Sequence, residues 1–383
     1  QTASPTIVGD GNNAAKRDRR FALEFGYFAM PSHPPERGLK AGIDWDLQTM
    51  RWLDELGYAE AWIGEHHTAP WEPNSSPDLL IAQALLQTKR LRIGPGGFLL
   101  PYHHPAELAN RVAVLDHMSE GRLMFGVAAS GLPSDWAMFN VDGMSGVNRE
   151  MTREALSIIL RLWSDEPSFQ HRGKFWNVDK PEPMFGVLRT HIKPLQQPHP
   201  PIGVAGFSQS SDTLKMAGEH GFLPLSLNLN PAYVGTHWAA VEEGARRTGR
   251  TPHRRDWRMV REVFVAETDA EAMRLSVGAQ MGRMMQEYFL PLLGNFGFLE
   301  FLKHDPSVPD SDVTPEYCAQ HNWLIGSPAT VAEKLERVYN EVGGFGNLLV
   351  FGFDYSETPQ AWHNSLRLLA QEVAPRVKHL TPK

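Results

Sequence analysis

An acid and two imidazoles stand side by side in the stretch AWIGEHHTAPW, at residues 61–71. Glu65, His66 and His67 follow a short apolar segment and precede a loop that contains proline and tryptophan. A histidine in such a place can take up and release a proton near neutral pH, because its unperturbed pKa is about 6.5. Glu65 could orient or satisfy the imidazoles, or form a salt bridge on the wall of the fold. On position alone, a histidine that only hydrogen-bonds to the backbone explains the sequence as well as a catalytic one does.

Strands and helices alternate along the chain on both sides of this stretch. Alternate apolar residues predict a first strand at 21–28, and short apolar runs bounded by turn residues predict seven more strands. These further strands are expected at 59–64, 91–100, 123–127, 201–206, 223–227, 257–266 and 347–353. Eight strands that alternate with helices, without a break in composition, predict a single parallel (β/α)8 barrel over residues 21–383. A doubly wound open sheet is the alternative.

Residue types that begin or end helices predict where several helices lie. Asp44 is expected to cap a helix that ends at Gly57, and one long helix is expected from Pro231 to about Gly249. Thr330 and Glu333 form a capping-box pattern for a helix near the chain end. Insertions are predicted after the fourth strand, at about 164–200, and after the seventh, up to about residue 323. The polar residues 1–20 are predicted to be a flexible tail.

Composition excludes several classes of function. Lys and Arg number 37 against 44 Asp and Glu, a formal net charge of -7, so no basic footprint for nucleic acid is expected. Cys318 is the only cysteine, which excludes an internal disulfide framework or a cysteine-rich metal site and is compatible with a reducing compartment. No apolar run approaches the ~18 residues that a membrane span needs. A cytoplasmic protein without a membrane or nucleic-acid partner is predicted.

Active sites of α/β barrels lie at the carboxyl ends of the strands, where this chain carries small and polar residues. After the fifth predicted strand, Ser208, Ser210 and Ser211 stand at a helix N-terminus, where free N–H groups and the helix dipole favour an anion. Ordinary serine capping is the alternative, although it explains one serine better than three. No His-x-His pair occurs at a strand end, so no metal ligands are predicted, and a metal-dependent hydrolase is only a minor alternative.

Several blocks together resemble the luciferase-like, flavin-dependent monooxygenases. They are, in order, GYAEAWIGEHH, LRIGPGGFLLPYHHPAELANRVAVLDHMSEGRLMFGV, NRE, PIGVAGFSQSSDTLKMAGEHG, GSPATVAEKL and GNLLVFGF. The resemblance extends from about residue 21 to residue 373, and features such as SDWAMF resemble the branch that includes limonene and diketocamphane monooxygenases. It implies an α/β barrel that binds reduced FMN (FMNH2).

The resemblance also implies roles for individual residues. His66 matches the family's catalytic histidine, with Glu65 beside it, and Gly96 and Gly97 match a dipeptide beside the flavin ring that is a non-prolyl cis peptide in several members. The residues expected to hold the cofactor are Gly96, Gly97, Ser130, Arg149, Phe207, Ser208, Ser210 and Ser211. The chain departs from luciferase after the fourth strand, where Ala128 and Ala129 replace a cysteine and a phosphate-binding arginine. The phosphate is therefore expected to depend more on Arg149 and the serines.

The function that the resemblance implies is oxygenation by a C4a-peroxyflavin formed from reduced FMN and O2. His66 would manage the proton of this species, and the substrate would be a small apolar molecule such as a monoterpene or a cyclic ketone. Since no nicotinamide-binding module is visible, reduced FMN is expected from a separate NAD(P)H:flavin reductase, and the protein is expected to be a homodimer. A deazaflavin (F420)-dependent dehydrogenase on the same fold, or an inactive flavin-binding subunit, are the alternatives.

Overall fold

The computed structural model describes residues 22–382, so the tail predicted at 1–20 lies outside the described residues. Nine parallel strands form one curved sheet in the order β3-β2-β1-β13-β10-β9-β8-β5-β4. The strands are β1 (Glu24–Ala29), β2 (Glu60–Ile63), β3 (Arg92–Pro95), β4 (Phe98–Leu99), β5 (Phe125–Ala128), β6 (Phe169–Arg172), β7 (Asn177–Lys180), β8 (Ile202–Gly206), β9 (Leu223–Ser226), β10 (Arg258–Arg261), β11 (Val263–Val265), β12 (Leu324–Gly326) and β13 (Asn347–Phe351).

The sheet closes on itself at the third predicted strand, which is bent into β3 and β4. β3 pairs with β2, and β4 pairs with β5. Ile93 in β3 also bridges Leu123, just before β5, so both halves of the bent strand meet the same neighbour. A side chain on Gly126 would place its Cβ 1.9 Å from the carbonyl oxygen of Pro95, so this crossing needs glycine. The predicted parallel α/β barrel is confirmed, and the open sheet is excluded.

Helices cover the outside of the barrel. They are α1 (Leu39–Leu56), α2 (Pro77–Gln87), α3 (Pro105–Met118), α4 (Pro133–Met138), α5 (Val147–Trp163), α6 (Asp212–His220), α7 (Pro231–Gly235), α8 (His237–Arg247), α9 (Asp269–Ser276), α10 (Gln280–Met284), α11 (Leu290–Asn295), α12 (Pro315–His321), α13 (Pro328–Glu341), α14 (Pro359–Leu368) and α15 (Ala374–Arg376). None of the helices in residues 22–382 combines the length and apolar character needed to cross a bilayer.

Three predicted helix boundaries are wrong. α1 begins at Leu39, so Asp44 lies inside it and pairs with Lys40 on the exposed face instead of capping. The long helix from Pro231 divides at Thr236 into α7 and α8. Ser327, followed by a proline at the first helical position, caps α13 by accepting the N–H of residue 330, so the capping box is not formed.

Two long segments interrupt the barrel pattern. Between β5 and β8 the chain forms α4, α5 and the antiparallel hairpin β6–β7. The predicted seventh strand divides: β10 stays in the barrel, whereas β11 pairs with β12 outside it. Along the chain, α9 to α12 lie between β11 and β12. These segments add further backbone to the same end of the sheet, because each leaves the carboxyl end of a barrel strand.

Buried ion pairs join distant parts of the ring. Inside the barrel, Arg258 of β10 donates to both carboxylate oxygens of Glu60 in β2, at 3.0 and 3.1 Å. His33, after β1, lies between Asp46 of α1 and Asp354, which follows β13. Burial opposes a charge on His33, but the two carboxylates raise its pKa to about 9. The first and last units of the barrel are therefore joined by a buried charged contact.

Candidate active site

The loop that follows β2 holds His66 at the carboxyl end of the barrel. The side chain of Asn74 donates to the carbonyl of Gly64 at 2.7 Å, and the backbone N–H of His66 donates to the carbonyl of Asn74 at 2.9 Å. Gly64 allows this close fold, since a Cβ there would lie 2.2 Å from the sulfur of Met30. Asn74 thus fixes the backbone at Gly64 and at His66.

Two buried carboxylates face the imidazole of His66. Oε2 of Glu72 lies 3.4 Å from Nε2, and Oδ2 of Asp135 lies 3.5 Å from Nδ1. Burial opposes protonation of His66, but Glu72 and Asp135 outweigh it and raise the pKa of the imidazole. The ring is therefore suited to carry a proton near neutral pH. Neither acid was predicted from the sequence, although Glu72 follows the histidines closely and Asp135 lies in the SDWAMF stretch.

Glu65 contacts the other two imidazoles rather than His66. Its Oε1 lies 2.8 Å from Nε2 of His67 and 2.9 Å from Nε2 of His103, and its Oε2 accepts the N–H of Leu99 at 2.9 Å. Burial disfavours the charged carboxylate, but these hydrogen bonds outweigh it and lower the pKa of Glu65. Glu65 thus satisfies the imidazoles of His67 and His103, which is one of the roles predicted for it. Glu65 also fastens the loop after β2 to β4.

Aromatic rings cover this polar cluster on one side. Phe139 stacks on Tyr102 with centroids 4.1 Å apart, and both rings contact the edge of His67. The hydroxyl of Tyr102 donates to Ser130 Oγ at 2.7 Å, and Ser130 has a φ of 69°. Asn148 holds this turn by donating to the carbonyls of Ala129 and Ser130. Ser130 therefore lies at the mouth, although its hydroxyl is already used by Tyr102.

The two glycines between β3 and β4 form a narrow turn. The peptide bond between Gly96 and Gly97 is cis. A Cβ on Gly97 would lie 2.5 Å from the backbone of Gly126 and Val127, and one on Gly96 would lie 3.1 Å from Trp62. A side chain is thus excluded at Gly97 and would be crowded at Gly96, and bare backbone is left at the mouth of the barrel.

A basic and hydroxyl-rich surface lies where α5 meets the loop after β8. Arg153 of α5 donates to the carbonyl of Asp212, the first residue of α6. Arg149 lies one turn earlier on the same face, and in the described chain its exposed guanidinium has no hydrogen-bond or ion-pair partner. The hydroxyls of Ser208 and Ser210 are exposed in the adjoining loop. These features fit a phosphate group, because an unpaired cation lies on α5, and Arg153 of the same helix contacts the N-terminus of α6.

Two predicted cofactor residues have other partners. Ser211 is the N-cap of α6 and accepts the N–H of Leu214 at 3.3 Å, while its hydroxyl also contacts Thr213 at 2.7 Å. Phe207 packs on Phe298 and Phe301 of the segment after β10. Ser211 therefore supports the loop, and Phe207 joins it to the second long segment.

The parallel barrel and the residues at its mouth define an α/β barrel with a protonatable histidine between two buried carboxylates. The chain matches the model of the luciferase-like monooxygenase family over residues 23–344, and it belongs to that family. It is therefore a flavin-dependent monooxygenase, which confirms the resemblance found in the sequence and excludes a metal-dependent hydrolase as its class. Among the described residues, no group of three or more His, Cys, Asp or Glu side chains is arranged to hold a metal ion.

Several relatives are monooxygenases named for diketocamphane or limonene. The chain is 33% identical to 3,6-diketocamphane 1,6-monooxygenase of Pseudomonas putida, over 94% of this chain and 100% of that protein. It is 33% identical to limonene 1,2-monooxygenase of Rhodococcus erythropolis, over 92% of this chain and 86% of that protein. A solved structure, the oxygenating constituent of 3,6-diketocamphane monooxygenase from Pseudomonas putida with FMN, a type II Baeyer–Villiger monooxygenase, matches with a TM-score of 0.88 and 34% identity over 94% of this chain and 100% of that one.

Proposed function

We propose that this chain is the oxygenating component of a two-component monooxygenase that uses reduced FMN and O2 on a small apolar cyclic ketone or monoterpene. The observation that carries the proposal is His66, held between Glu72 and Asp135 at the barrel mouth. The names of the relatives support the substrate class, and the FMN complex of the diketocamphane enzyme supports the cofactor. That enzyme is described as an oxygenating constituent, which supports a separate NAD(P)H:flavin reductase.

The residues of this chain have distinct roles in the proposal. Reduced FMN, when bound, supplies the electrons that activate O2. Arg149 and the hydroxyls of Ser208 and Ser210 bind its phosphate, and the bare backbone of Gly96 and Gly97 lets the ring lie close to the strands. Tyr102 and Phe139 help to exclude water from this region.

His66 has the role of holding and moving a proton. Its raised pKa lets Nε2 or Nδ1 carry a proton near neutral pH, while Glu72 and Asp135 stabilise the charged ring. Glu65 is a positioning residue in this proposal, because it holds His67 and His103 and makes no direct hydrogen bond to His66. Attack on a ketone and oxidation of an alkene need different protonation states of the oxidant. A histidine that titrates near neutrality can serve either reaction.

We also propose that residues 21–383 act as one domain in a cytoplasmic homodimer. Apolar side chains are exposed on α2 and α3, which pack side by side. Leu79 and Leu86 lie on one face of α2, and Val114 and Met118 lie on one face of α3. Leu86 alone is 85% exposed. Such a patch on neighbouring helices supports an interface between two copies.

The proposal is tested by turnover with labelled oxygen. FMN reduced chemically under anaerobic conditions is mixed with the protein, a bicyclic ketone or limonene, and buffer containing ¹⁸O2. We expect one ¹⁸O atom in the product and little hydrogen peroxide. His66→Ala should lower product per reduced FMN about 10²-fold and raise peroxide release, because proton transfer is lost. His379→Ala, on an exposed histidine, is the matched control.

Two results would contradict parts of the proposal. If no ketone or terpene gives labelled product while peroxide accounts for all the reduced FMN, the monoterpenoid substrate class is wrong. If His66→Ala leaves product per reduced FMN unchanged, the histidine has no role in the reaction.

A further inference from the structure

The segment after β10 contributes one tyrosine to the surroundings of His66. Residues 280–295 form a continuous helical stretch in which α10 and α11 are joined by a π-helical turn at Met285–Phe289. Tyr288 lies on this turn, and a π turn rotates the side chains that follow relative to an α-helix. Its ring lies nearly parallel to that of Trp71 in the loop after β2, at 21° and 6.5 Å between centroids. The segment therefore packs on the loop that carries His66.

The hydroxyl of Tyr288 meets the carboxylate that faces His66. It donates to Oε2 of Glu72 at 2.8 Å, and this same oxygen lies 3.4 Å from Nε2 of His66. Glu72 is only 3% exposed, so few other donors can reach its carboxylate. One oxygen atom thus joins Tyr288 to the imidazole.

An arginine fastens the same helical stretch to the barrel loops. Arg283 donates to both carboxylate oxygens of Glu36, in the loop after β1, and to Glu287 at 3.0 Å. Its guanidinium also lies over the ring of Trp71 at 5.4 Å. The helical turn that carries Tyr288 is thus held in place by Arg283, and the Tyr288 ring is held by its own contact with Trp71.

We propose that Tyr288 is a positioning residue for His66, and that its hydroxyl holds Glu72 as a carboxylate against Nε2 of the imidazole. The proposal deepens the proposed function, since it rests on His66 as the residue that carries the proton. It also assigns a role to the segment after β10, because Tyr288 of this segment supplies the hydroxyl that contacts Glu72.

The groups that face His66 determine whether its pKa rises or falls when the Tyr288 hydroxyl is removed. These are Glu72, Asp135 and, farther away, Glu65, with Tyr288 acting through Glu72. Burial raises the pKa of Glu72, and His66 and the Tyr288 hydroxyl oppose that rise. Without the hydroxyl, Glu72 binds a proton more readily, so the negative charge beside His66 is smaller on average. The pKa of His66 must then fall.

The test is a direct titration of His66 in the full chain without flavin. The histidines are labelled with ¹³C, the His66 signal is assigned by its absence in His66→Ala, and its shift is followed from pH 5 to 9. Glu72→Gln should lower the pKa of His66 by about one unit or more, because an opposite charge is removed. Tyr288→Phe should lower it in the same direction by a smaller amount. Tyr58→Phe is the matched control, since it also removes a buried hydroxyl hydrogen bond, at the other end of β2.

Each outcome decides one point. If Glu72→Gln lowers the pKa of His66 but Tyr288→Phe leaves it at the wild-type value, Tyr288 has no positioning role. If neither variant changes it, the contact through Glu72 is overturned. Should Glu72→Gln fail to fold, a comparison of Tyr288→Phe with Tyr58→Phe still decides, because an equal pKa in the two variants overturns the proposal. The titration needs no flavin and no substrate, so its failure is distinct from failure of the monooxygenase reaction.

Discussion

At the scale of single residues, two arginines one helical turn apart behave differently. Arg153 is held by Glu219 at 3.1 Å and by the carbonyl of Asp212 at 3.0 Å. Arg149 has an exposed guanidinium that makes no hydrogen bond or ion pair within residues 22–382. A cation left free on the helix that contacts the α6 N-terminus is available to an anionic ligand. Arg149 is thus the residue that most directly tests the proposed phosphate site.

Arg149→Ala should weaken binding of reduced FMN at least about tenfold and leave binding of reduced riboflavin nearly unchanged, because a charge-assisted hydrogen bond to phosphate is lost. Binding is measured anaerobically by ultrafiltration. Arg274→Ala, an exposed arginine on α9, is the matched control and should change neither affinity. Equal weakening of both flavins would show that Arg149 does not contact the phosphate.

At the scale of the elements, the barrel closes where β3 crosses β5. Gly126 lies at this crossing, and a Cβ there would be 1.9 Å from the carbonyl oxygen of Pro95 and 3.2 Å from the Trp62 ring. The first contact is with backbone, which has little freedom to move away. The Gly96–Gly97 turn follows β3 directly, so the way β3 crosses β5 determines where this turn lies at the mouth of the barrel.

Gly126→Ala should therefore lower the free energy of unfolding by about 1–3 kcal/mol, because the added methyl group overpacks the crossing. Urea unfolding followed by circular dichroism measures the change. Gly38→Ala is the control, since nothing lies within 4 Å of a Cβ at that position and its φ of -61° suits alanine. A Gly126→Ala protein as stable as Gly38→Ala would mean that β3 can shift away from β5 without cost.

At the scale of the whole molecule, exposed apolar residues are concentrated in two places. One is the pair of helices α2 and α3, with Leu79, Leu86, Val114 and Met118. The other is the turn at Met184–Leu188 in the segment between β5 and β8, where Phe185 is exposed. The helical patch offers two rigid, adjacent surfaces, which is what a two-fold interface between copies requires.

Leu86→Glu should convert a dimer to a monomer, because a carboxylate would be buried without a partner in the interface. Light scattering after gel filtration measures the mass. Phe185→Glu is the matched control and should remain dimeric, since it changes an equally exposed apolar residue outside the patch. A wild-type protein that is monomeric at all concentrations, or a Leu86→Glu protein that stays dimeric, would contradict the proposed interface.

Much of the site was accessible from the sequence because strand ends are local features. His66, Gly96, Gly97 and the serines after β8 each follow a recognisable strand, so their presence at one end of the barrel follows from the fold class. The helix boundaries at Leu39 and Thr236 were missed because no side chain at Gly38 or Thr236 accepts a hydrogen bond from the helix that follows, so neither start has a capping signal. The role of Ser211 as a cap was anticipated as the alternative to phosphate binding.

The sequence by itself determined the barrel, the family and the histidine, since each depends on periodicity or on motifs within a few residues. Only the tertiary structure decided which acids surround that histidine. Asp135 and Tyr288 are 69 and 222 residues away from His66 along the chain, and Glu65, its neighbour, turns to His67 and His103. The physical reason is that the electrostatic environment of a group depends on distance in space, and no local pattern specifies which loops meet at the mouth of a closed barrel.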